Sequence, residues 1–141
     1  MNASTNPERV SMSNSVILLA GRVLMAFIFI MAGWSKLAGG IEGTAGYIAS
    51  VGLPAATALA WLAGIFELVA GLFILAGFFT RYTAWALAAF CLFTGFVFHF
   101  QPAEQMQFIM FMKNVAMAGG FLFLTVTGAG SISADAKRGQ A

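Results

Sequence analysis

Four long apolar stretches divide the chain, running from about Ser15 to Leu37, Pro54 to Phe79, Tyr82 to Phe100 and Met106 to Thr127. Each is near or above the roughly 20 residues that an α-helix needs to cross a hydrocarbon core about 30 Å thick. No ten-residue segment alternates apolar and polar side chains as a membrane β-strand must, and Leu, Ala, Met and Phe fill the stretches. The pattern predicts an all-α membrane protein, a four-transmembrane-helix antiparallel bundle. The connections agree. Ala38 to Leu53 carries Gly39, Gly40, Gly43, Gly46 and Gly52 ahead of Pro54, and glycine past one helix with proline opening the next is the usual order. The links around Thr80 and Arg81 and from Gln101 to Gln105 are short, so consecutive helices run antiparallel side by side. Residues 1–14 and 128–141 are expected as polar, mobile tails around one membrane domain over 15–127. The first stretch is expected to be a retained span: it exceeds the usual leader core, Arg22 interrupts it, and no Ala-x-Ala site follows.

Composition narrows the class. Of 141 residues, 60% are hydrophobic and only 9% charged, against roughly 45–50% and 25% in soluble domains. A water-soluble globule could not cover its core with so few charges. The net charge of +2 comes from scattered residues with no basic cluster, which excludes a nucleic-acid footprint. Cys91 is the single cysteine, so no internal disulfide, redox pair or thiolate zinc site can form within the chain. Arg9, Arg81, Lys137 and Arg138 fall at one end of the predicted bundle, with Lys36 and Lys113 towards the other. By the positive-inside rule both termini are expected in the cytoplasm.

Arg22, Glu67 and Lys113 fall inside predicted spans, where an ionisable residue costs about 2.5–3.5 kcal/mol at a helix centre unless it faces the bundle and finds a partner. Ala56, Ala60, Ala63, Gly64, Glu67 and Gly71 recur at helical spacing, a small-residue stripe of the kind along which membrane helices approach. Arg22 shares a face with Ala26, Phe29, Gly33 and Lys36, and Lys113 shares one with Ala116 and Gly120. At about 1.5 Å per residue, Arg22 lies about 10 Å inside one boundary and Glu67 about 18 Å from it. Lys113 lies about 10 Å in from the opposite side. Glu67 is therefore expected to be ionised and paired with Lys113, Arg22 or both. Such a set can serve function, as membrane ionisable groups often do, or only fix which helix packs on which. His99, within Phe96-Val97-Phe98-His99-Phe100, reads as an interfacial histidine. It has no second histidine or ligand-spaced carboxylate beside it, so no metal site is expected. Cys91 reads as a packing residue, and Trp34, Tyr82 and Trp85 as interfacial belt residues.

The order of features resembles a known family. Arg22 to Gly33 is followed by Lys36-Leu37, then Thr44-Ala45-Gly46-Tyr47-Ile48-Ala49-Ser50-Val51-Gly52-Leu53-Pro54. Glu67 precedes Gly77-Phe78-Phe79-Thr80-Arg81, and the fourth helix carries Lys113-Asn114. The chain from about Val16 to Ser133 resembles the DoxX family of small bacterial four-helix membrane proteins. That resemblance implies the bacterial inner membrane. It also implies a link to respiratory or quinone chemistry, since the family name comes from a small subunit of an archaeal terminal quinol oxidase. Arg22, Lys36, Glu67, Arg81, Lys113 and Asn114 match family-like polar positions, with no catalytic role attached. The chain departs from the family pattern at Gly128-Ala129-Gly130, where Gly-Pro-Gly is common, and in having His99 alone.

Three functions fit these features. The first is an accessory subunit of a redox or quinone-linked membrane complex, with quinone as the implied cofactor and a membrane redox protein as partner. The second is a small-solute or proton transporter that titrates Glu67. The third is an assembly factor without chemistry of its own. An autonomous enzyme fits poorly, because redox chemistry needs a cofactor and no ligand set for one is visible. The surplus of small-residue stripes is compatible with a homodimer in the bilayer.

Overall fold

A computed structural model describes the backbone of residues 7–140 and the side chains of residues 12–140. Among the described residues the structure is helical throughout, with no strand. α1 spans Pro7–Ser35 and passes through a kink, Lys36–Gly40, into α2, Ile41–Ser50. α3 spans Ala56–Ala76, and α4 spans Thr80–Thr94 with a π-helical turn, Gly95–His99, at its end. α5 covers Gln105–Thr127 and the short α6 covers Ala134–Lys137. Four helical segments are long and apolar enough to cross a membrane: Met12–Ser50, Ala56–Ala76, Thr80–His99 and Gln105–Thr127. The predicted count and order of spans hold.

Two expectations about the links fail. The glycine-rich stretch from Ala38 to Leu53 is not an open loop, because most of it is α2. Ile41, Ala45 and Ile48 recur at helical spacing and turn inward, Ile48 fully buried, so packing against α3 outweighs the low helix propensity of glycine. The bend between α1 and α2 falls at Gly39, with φ +135°, a conformation that suits glycine. The residues after Thr127 are not a free tail either. Gly128, Ala129, Ser133 and Asp135 are buried, and the segment folds back over the α3–α4 turn.

The bundle is built from two close helix pairs, α1 with α3 and α4 with α5. In lipid, where apolar side chains gain nothing from leaving water, helix association depends on close backbone approach. A Cβ on Gly33 would stand 2.5 Å from the Leu68 nitrogen and 2.8 Å from the Gly64 oxygen, and one on Gly71 would stand 2.9 Å from the Ile30 nitrogen. The small-residue stripe of α3 thus packs against α1. Between the pairs sits a core that includes Phe29, Ile74, Leu87, Cys91 and Phe121, with Phe29 and Phe121 edge to face at 5.5 Å. Leu24, Tyr82, Phe123 and Val126 point outwards, more than 70% exposed, as a lipid-facing surface requires.

Candidate functional site

The polar residues singled out by the sequence separate into a group at the end carrying the chain termini and others deeper in the bundle or towards the opposite end. At the end carrying the chain termini, Arg22 is 1% exposed. It does not meet Glu67. Its Nη2 donates to the Ile132 carbonyl, and its guanidinium lies against Gly77, where a Cβ would overlap it. The buried Arg22 Nε and Nη1 and the Thr80 hydroxyl have no well-aligned protein partner. Gly77 closes α3 with φ +68° and a Schellman pattern, in which Phe78 N donates to Phe73 O at 2.9 Å and Gly77 N to Ile74 O at 3.2 Å.

Asp135 was not singled out by the sequence, yet it organises this end. Its carboxylate accepts from Phe79 N at 2.8 Å and Thr80 N at 2.9 Å, capping the orphan amides that open α4. Its own N–H donates to Gly77 O at 2.8 Å. Burial works to raise the Asp135 carboxyl, but contacts with Thr80, the Phe79 amide and the charge of Arg138 outweigh it and hold the group below its ordinary range. Arg138 lies over the Phe78 and Phe79 rings at 4.9 and 4.4 Å. Arg81 is exposed and donates to Thr125 O at 2.9 Å and Val126 O at 2.8 Å, satisfying carbonyls at the close of α5. The one sequence signal for this arrangement is Ser133, whose hydroxyl accepts from Ala136 N at 3.0 Å as a helix cap.

Midway along α3 the expected partners of Glu67 are replaced by another. Glu67 pairs with Lys36 at 2.7 Å, a lysine at the kink that follows α1. Gly64 makes the room: a Cβ there would meet the Leu37 side chain at 3.0 Å and Lys36 Cβ at 3.2 Å. The pair is only partly shielded, with side-chain exposures of 23% for Lys36 and 10% for Glu67. Lys113 and Ala116, expected to face the bundle, are exposed, while Asn114, Ala118, Phe121 and Leu124 turn inward. Adjacent helix positions differ by about 100°, and the fit of Phe121 and Ala118 in the core selects the second face.

Asn114 packs where α5 crosses the turn after α4, 3.0 Å from where a Gly95 Cβ would lie. Its Nδ2 donates to Met110 O at 2.9 Å, and the Thr94 hydroxyl reaches its Oδ1 at 3.3 Å. His99 Nδ1 lies 2.8 Å from Gln107 Oε1. Tyr47 of α2 donates its hydroxyl to Phe98 O at 3.0 Å, so α2 reaches over to the end of α4. No group of three His, Cys, Asp or Glu side chains gathers among the described residues.

The DoxX family profile matches residues 17–100, a span that includes Arg22, Lys36, Glu67 and Arg81. This chain belongs to the DoxX family. Inner membrane protein YqjF of Escherichia coli (strain K12) is 44% identical over 118 residues, covering 84% of this chain and 88% of that protein. Inner membrane protein YphA of the same organism is 38% identical over 125 residues, covering 85% and 89%. No solved structure matches significantly. Four apolar helices and these relatives make this DoxX chain a multi-pass inner-membrane protein.

Proposed function

We propose that this DoxX protein is an accessory subunit of a redox or quinone-linked membrane complex, with both termini in the cytoplasm. The observation that carries the reading is the partly open Lys36–Glu67 pair at the kink between α1 and α2, an ionisable pair within the spans of the kind that often serves function. An ammonium has three donors, and Glu67 takes one, leaving Lys36 able to donate to a quinone carbonyl. Glu67 fixes where that ammonium stands. A quinone bound there would supply the electron-carrying chemistry, and the partner would supply the second redox centre. Arg81, Lys137 and Arg138 at the end carrying the termini support the orientation through the positive-inside rule.

The test is extraction from the native membrane in mild detergent, followed by mass spectrometry of bound quinone and of co-purifying proteins. Near-stoichiometric quinone or a redox protein is expected, and a preparation with neither overturns the reading. A reporter enzyme active only in the periplasm, fused to the C-terminus, should be silent. A second reading is proton or solute transport, favoured by Glu67 being a buried carboxylate within the spans. Flux in proteoliposomes equal to that in empty liposomes would remove it. If complex and flux are both lacking, an assembly role is what remains.

A further inference from the structure

Lys113 stands apart from the other charges at membrane depth. Arg22 bonds to Ile132 and Lys36 to Glu67, but Lys113 is exposed and makes no hydrogen bond or ion pair with the described residues. The distal boundary is marked by exposed Gln101, Pro102 and Glu104 ahead of α5. Lys113 is eight residues into a helix of 23, so its Cα lies about 12 Å below that boundary. A lysine stem recovers part of this distance by bending towards the helix N-terminus. The ammonium still ends short of the boundary, at a cost that is a fraction of the roughly 2.5–3.5 kcal/mol for a basic residue at a helix centre.

We infer that the outer face of α5 around Lys113 docks a transmembrane helix of another protein that carries an Asp or Glu at matching depth. Charge complementarity selects this occupant over a second copy of the chain. Glu42 and Glu104 lie at the distal boundary, Glu8 and Asp135 at the other end, and Glu67 is held by Lys36. No carboxylate of a second copy is free at the depth of Lys113. The neighbouring surface admits a close partner, because Ala116 is exposed and a Cβ on Gly119 would meet nothing within 4 Å. Small residues on a lipid face let a second helix backbone approach. The inference rests on the accessory-subunit reading and names the surface that this reading needs.

The test places a photo-crosslinking amino acid at Ala116, with a control at the exposed Leu24 of α1, in the full chain expressed in its native membrane. A discrete adduct with a different protein is expected from position 116 and not from 24. Lys113→Met should lower its yield about tenfold or more, as loss of one member of a buried charge pair does, while Lys113→Arg keeps it. Lys113→Met should leave the thermal midpoint in detergent unchanged or higher, which separates lost docking from lost folding. Exchanging Lys113 with the carboxylate found in the partner's span should restore the adduct. Adducts with lipid alone, with a second copy, or with a protein indifferent to Lys113→Met overturn the inference. A partner that depends on Lys113 but has no redox role would instead sink the redox reading alone.

Discussion

At the end carrying the termini, Arg22, Asp135 and Arg81 bond to backbone atoms of Ile132, Phe79, Thr80, Thr125 and Val126. Deeper in the bundle, the Lys36–Glu67 bond joins side chain to side chain beside the kink at Gly39. Backbone partners are held in place by helices and turns on either side. A side-chain pair can open by rotation of either member. The first arrangement suits a fixed closure that seals helix ends. The second suits a site that exchanges one partner for another, and it is where the proposed ligand contact belongs.

Gly77→Ala should have the largest effect and breaks the rigid end. It forces a left-handed alanine and pushes on the Arg22 guanidinium, so stability in detergent should fall by about 3 kcal/mol. An unfolding midpoint within a degree of wild type would show that Arg22 is not confined there. Glu67→Gln probes the exchangeable pair. It leaves Lys36 without its counter-charge, at a cost of about 2 kcal/mol once its partial exposure is discounted. Adding Lys36→Met should recover part of that loss, and additive losses would refute the coupling.

Asp135→Asn should cost about 1 kcal/mol through a weaker cap and should also change the response to acid. The carboxyl is held below its ordinary value, so its contribution is complete above about pH 4 and is lost as the pH falls through the lowered value. The wild type should therefore lose stability in acid more steeply than the variant; parallel curves would rule out the linkage. Tyr47→Phe is the smallest change. It removes one exposed hydrogen bond to Phe98 O, worth about 0.5 kcal/mol, and should speed amide exchange in α2 while leaving α3 as it was. Unchanged exchange in α2 would mean that its packing on α3 alone holds it.

Much of the architecture was legible from local features. The last three spans end within a few residues of their expected limits, whereas the first runs on through α2 to Ser50; the α3 stripe is legible from Ala60, Gly64 and Gly71. The site was legible only in part. The expected burial of Glu67 holds, but its pairing with Lys113 or Arg22 does not, because the kink that swings Lys36 towards Gly64 leaves no mark in hydropathy. Asp135 was missed because a short polar stretch after a last span looks the same whether it is free or folded back.

The division has a physical origin. In hydrocarbon each backbone N–H and C=O must be satisfied within its own segment, so length and apolarity alone determine that there are four helices and roughly where they end. How each helix is rotated, and which charge meets which, depends on fits between residues far apart in the chain. Gly33 against Leu68, Phe121 against Phe29 and Gly77 under Arg22 set those rotations. They turn Asn114 inward and Lys113 outward, and they bring Lys36 rather than Arg22 to Glu67.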